Sequence, residues 1–513
     1  MKKLFNILSG RLPLIMLAVF FQLGWLSLAF WYLGESFTYI NVILVTISII
    51  AVISIINSRQ NPAFKLSWTV LVMAIPFFGG VLYLFLGHSP LTRHMKDKMN
   101  MQSMQYLPEL AKYRFTKQSF HQANPDDHNQ LSYLSDFVGY YAYGHTKSEY
   151  LPSGELYMKQ LYDDLRAAKR FIFMEFFIID HGVVWQTILD ILVEKVKEGV
   201  EVRLLYDDFG VSTKIPRRYD DELRRLGLHV AVFNPLRPIY VTVQNNRDHR
   251  KVVSIDGIIG YTGGINLADE YTNQVSRFGH WKDTGLRLEG QAVSSLTAMF
   301  LSMWNVAADD RLALPAYMAD ESVLEGWNSF HDGWVQPFAD SPLDGEAISE
   351  NIFLNLINHA HHYIYFYTPY LILSNELATA LCLAAKSGVD VRIVTPGIPD
   401  KKIVYLITQA NYPQLLEAGV KIYEYSPGFI HAKVCICDDQ QAMVGSVNLD
   451  FRSLYHHFEC GVLLHYTECI RQIHRDFMET FALSHRVSLE ECDRRHILAK
   501  LVQAVFRIFA ALF

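Results

Sequence analysis

One polar pattern occurs twice in this chain at the same internal spacing, and it restricts the fold more than any other feature. The first copy is His249-Arg250-Lys251-Val252-Val253-Ser254-Ile255-Asp256, followed by Gly263-Gly264-Ile265-Asn266. The second is His431-Ala432-Lys433-Val434-Cys435-Ile436-Cys437-Asp438, followed by Gly445-Ser446-Val447-Asn448. Both fit H-x-K-x4-D-x6-G-[GS]-x-N, which chance does not readily supply. A single H-x-K is ordinary in a surface strand. Two copies with matching downstream glycine and asparagine indicate an internal duplication whose halves pack as a pseudo-two-fold pair. In each copy the run after the histidine is apolar and β-branched, which reads as a buried strand, and period-two alternation puts histidine and lysine on one face. Two such strands meeting face to face gather imidazoles, ammonium groups and amides around one small pocket suited to phosphate.

The flanks repeat as well. A strand over 169–176 precedes a helix ending at Gly199, a strand over 200–206, a charged helix ending at Gly227 and a strand over 230–235. The same steps recur at 363–367, Gly388, 389–394, Gly419 and 420–425. Strand alternating with helix predicts an α/β fold, with β-sheets flanked by helices and largely parallel pairing. The expected organisation is a membrane anchor over 1–90 and a linker over 91–130, then a first half over 131–310. A connector over 311–342, a second half over 343–490 and a C-terminal helix over 491–513 complete it.

The anchor is read from three uncharged apolar runs, Leu12 to Leu33, Phe37 to Ile56 and Leu66 to Leu86. Each is near the roughly 20 residues that span a bilayer as a helix. Lys2, Lys3 and Arg11 precede the first run, Arg59 and Lys65 the third, and Arg93, Lys96 and Lys98 follow it. By the positive-inside rule all three clusters are cytoplasmic, which three full crossings cannot satisfy. Two spanning runs are therefore expected, with the third, broken by Pro76 and Gly79-Gly80, re-entrant or interfacial.

Composition narrows the chemistry. A net charge of −6 gives no basic field for non-specific nucleic-acid binding, so a nuclease is disfavoured. All six cysteines lie in the last third with no paired CxxC spacing, and free buried thiols are expected. Cys435 and Cys437 share strand parity with His431, but a zinc ion there would consume the histidine the motif needs. A phosphodiester repels nucleophiles until its non-bridging oxygens are neutralised, a task for Lys251 and Lys433 with Asn266 and Asn448 as neutral donors. A neutral imidazole can then attack phosphorus while the other, protonated, serves the departing alkoxide. With two lysines supplying charge, neither metal nor cofactor is expected.

The duplicated motif, with Trp281-Lys282-Asp283 after the first copy and Asn448-Leu449-Asp450-Phe451-Arg452-Ser453 and Glu459 after the second, resembles the phospholipase D superfamily. With the apolar N-terminus and the positions Asn61-Pro62, Ser67-Trp68, Pro76, Gly79 and Tyr83, the chain is similar to bacterial cardiolipin synthases of that type. The resemblance implies two tandem phospholipase D-like halves, each a mixed β-sheet flanked by helices, behind an N-terminal transmembrane region, in a multi-pass protein of the bacterial cell membrane. It implies transfer of a phosphatidyl group between two phosphatidylglycerol molecules, with His249 as nucleophile, His431 as acid/base, and Asp283 and Glu459 orienting the imidazoles. A phospholipase D-type hydrolase, or a transferase using another phospholipid, is the alternative. Asp256 and Asp438 are expected among the catalytic groups, with a turn-fixing role as the competing reading. Glu175, a carboxylate in an apolar strand, needs a buried partner, whereas its counterpart Tyr367 is not acidic. Tyr367-Thr368-Pro369-Tyr370 either shapes a lipid entrance or packs. The helix from Arg494 to Phe513, apolar on one side with His496, Lys500, Gln503 and Arg507 on the other, either lies in the headgroup layer or packs on its own domain.

Overall fold

The computed structural model describes residues 34–58, 60–74, 91–113, 131–235, 246–494 and 497–512, with the single positions 24, 79 and 83. Two compact units emerge, one of 1–93, 236–245 and 505–513 and the other of 94–235 and 246–504. In the smaller unit, helices run over Gly34–Asn57 and Pro62–Ala74. The first exposes Val45, Ile47, Ile49, Ile50, Ile53 and Ile56, although its side chains are continuously described only from residue 45. Among the described residues no helix is long and apolar enough to cross a membrane. The run expected over 12–33, apart from residue 24, and residues 75–78, 80–82 and 84–86 of that over 66–86 lie outside the described residues.

The larger unit holds the duplication. Its first half contributes β1 (Thr146–Leu151), β2 (Phe171–Phe176), β3 (Glu201–Asp207), β4 (His229–Phe233), β5 (Val252–Ile255), β6 (Ile259–Gly263), β7 (His280–Lys282) and β8 (Gly285–Gly290). The second contributes β9 (Trp334–Asp340), β10 (Tyr363–Tyr367), β11 (Asp390–Pro396), β12 (Lys421–Tyr425), β13 (Gly428–Ile430), β14 (Val434–Cys437), β15 (Gln441–Gly445), β16 (Glu459–His465) and β17 (Ser484–Arg486). One sheet runs β1-β8-β6-β5-β2-β3-β4, and the other repeats that order as β9-β16-β15-β14-β10-β11-β12, with β17 added at the edge. The pseudo-symmetry read from the motif is thus present strand by strand.

Largely parallel pairing does not hold: within the two large sheets β2-β3-β4 and β10-β11-β12 are parallel and the other ladders antiparallel, while the short β13-β7 pair between the halves is parallel. Tight turns cause this. Asp256-Gly257 joins β5 to β6 and Asp438-Asp439 joins β14 to β15, each with positive φ, and so short a hairpin reverses the chain. The parallel strands keep their crossover helices, Val183–Lys197 and Asn375–Lys386, which end at Gly199 and Gly388 with φ of +90° and +99°, the left-handed cap only glycine adopts freely.

Every residue of β2, β5, β14, β15 and β16 is buried. One core cluster joins Leu286, Leu288, Val293 and Leu296 of the first half to Val434, Ile436, Ala442, Val444 and Leu464 of the second. Each such side chain contributes roughly 1.5–3 kcal/mol by leaving water, which holds the halves in one register. The C-terminal helix forms over Ile497–Ile508, but Gln503, expected on its polar side, is buried and donates from Nε2 to the Leu406 carbonyl at 3.2 Å.

Candidate active site

Histidine and lysine of each motif stand just before the strand, not within it: β5 begins at Val252 and β14 at Val434. This differs from a strand-face placement, and the reason is a set of backbone bonds between the halves. His249 N donates to the Phe458 carbonyl at 2.9 Å and Phe458 N to the Arg247 carbonyl at 2.8 Å. In the other half β13 pairs with β7, and His431 N donates to the Lys282 carbonyl at 2.7 Å. Each approach segment is therefore bonded to the residue preceding the other half's acid.

The consequence is a crossed arrangement. His249 Nδ1 lies 2.9 and 3.0 Å from the two carboxylate oxygens of Glu459, and His431 Nδ1 lies 2.6 Å from Asp283 Oδ2. Each half supplies the carboxylate that holds the other half's imidazole. Both acids are fully buried, as is Lys251; Lys433 and both histidines are nearly so. Lys251 Nζ donates to the His249 carbonyl and Lys433 Nζ to the His431 carbonyl. Lys433 Nζ also lies 2.9 Å from His431 Nδ1. One ring nitrogen cannot donate and accept at once, so the shorter carboxylate contact takes the Nδ1 proton. That leaves the Nε2 lone pair free.

Electrostatics follow from burial in a charged pocket. Burial lowers His249 well below the usual histidine range although Glu459 opposes it, and lowers His431 to about 4, with Lys433 adding repulsion. Burial works against ionising Glu459 and Asp283, but the neighbouring His249 and His431 outweigh it and hold both acids below the ordinary range. Burial likewise lowers Lys251 to about 8 and Lys433 to about 7. Both imidazoles are thus neutral near neutral pH, so the proton that an acid role requires is gained only beside a substrate anion.

The other expected residues divide. Asn266 is engaged, its Oδ1 accepting from Ile178 N at 3.0 Å and its Nδ2 donating to Tyr271 Oη at 2.7 Å, whereas Asn448 Oδ1 is buried without a partner. The glycine-or-serine position of the motif touches the acids. A Cβ on Gly264 would lie 2.1 Å from Asp283 Oδ1, while Ser446 Oγ donates to Glu459 Oε2. The expectation that Asp256 and Asp438 act catalytically is corrected. Asp256 accepts from the backbone N–H groups of Lys169, Arg170 and Phe171 at 2.7–2.9 Å, and Asp438 from those of His361, His362 and Tyr363 at 2.6–2.9 Å. They pin strand starts at the far end of β5 and β14, some ~15 Å of extended chain from the lysines. Asp438→Ala is expected to cost about 1–3 kcal/mol of stability through stranded donors. Denaturant titration checks that cost, and kcat per folded molecule should change only a few-fold.

Glu175 finds its partner in Arg250, the variable position of the first motif, with Nε 2.8 Å from Oε1 and Asp248 on the other side at 3.5 Å. Tyr367 is packed in the core, stacked on Phe477 at 3.8 Å and donating to Thr480 Oγ1 at 2.8 Å. Sequence reasoning missed His457, whose ring centroid is 5.4 Å from that of His249 and whose Nδ1 is 3.7 Å from Glu459 Oε1. Its place two residues before the acid was the available signal. Among the described residues, His249, His457 and Glu459 form the group able to hold a metal ion, with one ligand atom from each within 4.8 Å of the others.

Comparison with known proteins agrees with this architecture. Residues 161–304 and 353–481 match a family described as cardiolipin synthase, PLD-like domain, and residues 46–88 match a phospholipase D-nuclease N-terminal family. A cardiolipin synthase of Geobacillus sp. strain WCH70 is 34% identical over 92% of this chain and 93% of its own. A second, from Geobacillus thermodenitrificans, is 32% identical over 95% and 96%. The crystal structure of a phosphatidylserine synthase from Haemophilus influenzae superposes with a TM-score of 0.54 at 14% identity, covering 71% of this chain and 93% of that one, a likeness of fold. The chain belongs to the phospholipase D superfamily, in its cardiolipin synthase family of phosphatidyltransferases.

Proposed function

We propose that this enzyme transfers a phosphatidyl group from one phosphatidylglycerol to a second, giving cardiolipin and glycerol through a phosphohistidine. The observation that carries the reading is the pair of crossed histidine–carboxylate contacts beside two buried lysines. His249 Nε2 attacks phosphorus while Glu459 stabilises the positive charge growing on the ring. The P–O bond to the leaving glycerol breaks, and that alkoxide takes a proton from His431 Nε2. His431 then removes the proton of the incoming phosphatidylglycerol hydroxyl, whose oxygen attacks phosphorus and releases His249. Lys251 and Lys433 neutralise the non-bridging oxygens throughout. The relatives' names support phosphatidylglycerol as substrate, and the apolar runs before residue 90 support delivery of the pocket to a membrane, with the catalytic unit on the cytoplasmic side. A cysteine placed beside Arg93 should then react with a membrane-impermeant reagent only after the cells are opened.

Purified full-length protein in phosphatidylglycerol vesicles is expected to form cardiolipin and glycerol in equal amounts, read by mass spectrometry; phosphatidic acid without cardiolipin would establish a hydrolase instead. The lysines also set a pH dependence. Each is charged below its own pKa and neutral above it, so kcat/KM, which reports the free enzyme, should fall as pH rises through about 7 to 8. A bound phosphodiester anion raises both, so the basic limb of kcat should lie at higher pH than that of kcat/KM. Coincident limbs would count against the lysine assignment.

A further inference from the structure

The transfer chemistry above leaves one group in the pocket unused. His457 Nδ1 is buried without a hydrogen bond, and Glu459 stands between it and His249. The first half has no equivalent: the position two residues before Asp283 is Trp281, whose ring packs against His431 at 5.4 Å and offers no lone pair. The pseudo-symmetry is therefore broken on the His249 side alone, by a residue whose chemistry is that of a metal ligand.

We propose that His249, His457 and Glu459 form a site for a borderline divalent cation of the zinc type, and that occupying it switches the transfer reaction off. Two imidazole nitrogens and a carboxylate oxygen are the donor set of open zinc sites, which keep a fourth position for water. With bonds of about 2.0–2.2 Å, ligand atoms around one tetrahedral ion stand roughly 3.3 Å apart. The Glu459 oxygens lie 2.9 and 3.0 Å from His249 Nδ1, Oε1 lies 3.7 Å from His457 Nδ1, and one ligand atom from each residue lies within 4.8 Å of the others, so closure draws the two rings together around the carboxylate. The ion takes the His249 Nδ1 lone pair, and the ring proton that Glu459 had kept there moves to Nε2. Nothing is oxidised or reduced, but Nε2 no longer has a lone pair for phosphorus. Lys251 and Lys433 oppose the added charge, which makes the site weaker than a closed structural one. Magnesium, which prefers oxygen ligands, should neither bind nor inhibit.

Binding rests on the cluster alone, whereas inhibition rests on the proposed function, and the test separates them. Cobalt(II) added to the full-length protein in detergent is expected to give the visible bands of tetrahedral coordination at one ion per chain, displaced by zinc. The bands should survive in His431→Gln and disappear in both His457→Asn and His457→Trp, the latter carrying the first half's side chain. In the cardiolipin assay zinc should inhibit reversibly and magnesium should not. The zinc concentration for half-inhibition should rise at least roughly tenfold in whichever His457 variant retains turnover. Loss of the bands in a chain that makes no cardiolipin would support the site while refuting the function. Absent bands in the parent protein, or bands or zinc sensitivity unchanged in both His457 variants, would overturn the proposal.

Discussion

Replacing either His249 or His431 with glutamine is expected to lower kcat on the order of 10⁴-fold or more, and replacing both should lower it little further. Groups that act as one unit lose almost everything when the first is removed. The crossed geometry sharpens this, because each carboxylate should behave as part of the opposite half. Glu459→Gln is expected to reproduce the His249 lesion, and Asp283→Asn that of His431, each by roughly 10²- to 10⁴-fold, since an amide favours the wrong tautomer of the ring it faces. With a substrate whose leaving group needs no proton, such as phosphatidyl-p-nitrophenol, the two lesions separate. Glu459→Gln should slow the first release of nitrophenolate, whereas Asp283→Asn should leave that release fast and stop turnover. If each carboxylate impaired the histidine of its own half, the crossing at 2.9 and 2.6 Å would not be the functional pairing.

Arg250→Met is expected to destabilise the protein by roughly 3–5 kcal/mol, the usual cost of removing one partner from a buried charge cluster. Its guanidinium is the cation between Glu175 and Asp248, and all three side chains are almost wholly buried. Burial raises Glu175 well above the carboxylate range and raises Asp248 too, with Arg250 pulling against it in both cases. Taking the cation away leaves Glu175 and Asp248 facing each other without the charge that lies between them. Glu175→Gln should cost clearly less, because Arg250 and Asp248 then match one to one. Urea midpoints at unchanged m-value measure both. An Arg250 variant no less stable than the Glu175 variant would show that the cluster is not held together by its cation.

The duplication and the paired histidines, lysines and acids of the pocket were legible because polar groups recurred at fixed intervals in apolar surroundings. What the spacing could not carry was anything decided by how the halves meet. Whether Glu459 serves His249 or His431 depends on β13 lying against β7 and on Phe458 bonding to the segment before His249. Asp256 and Asp438 share the motif's regularity for another reason: both strand-to-turn junctions need an acceptor for three backbone donors, and recurrence alone does not separate a turn residue from a reacting one. Parallel pairing was over-read because strand–helix alternation covers only the middle of each half, while the motif itself forms a hairpin. Glu175 was seen to need a partner, but Arg250 lies inside the motif at a position the pattern leaves variable.

The central claim is that a histidine of the first half carries the phosphatidyl group, in a pocket completed by the second. The most direct measurement uses His431→Ala with phosphatidyl-p-nitrophenol, acid-free digestion and peptide mass spectrometry. A burst of one nitrophenolate per enzyme, with the phosphatidyl adduct on the peptide containing His249 and no burst in His249→Ala, is the expected result. No adduct, or an adduct elsewhere on the chain, would contradict it.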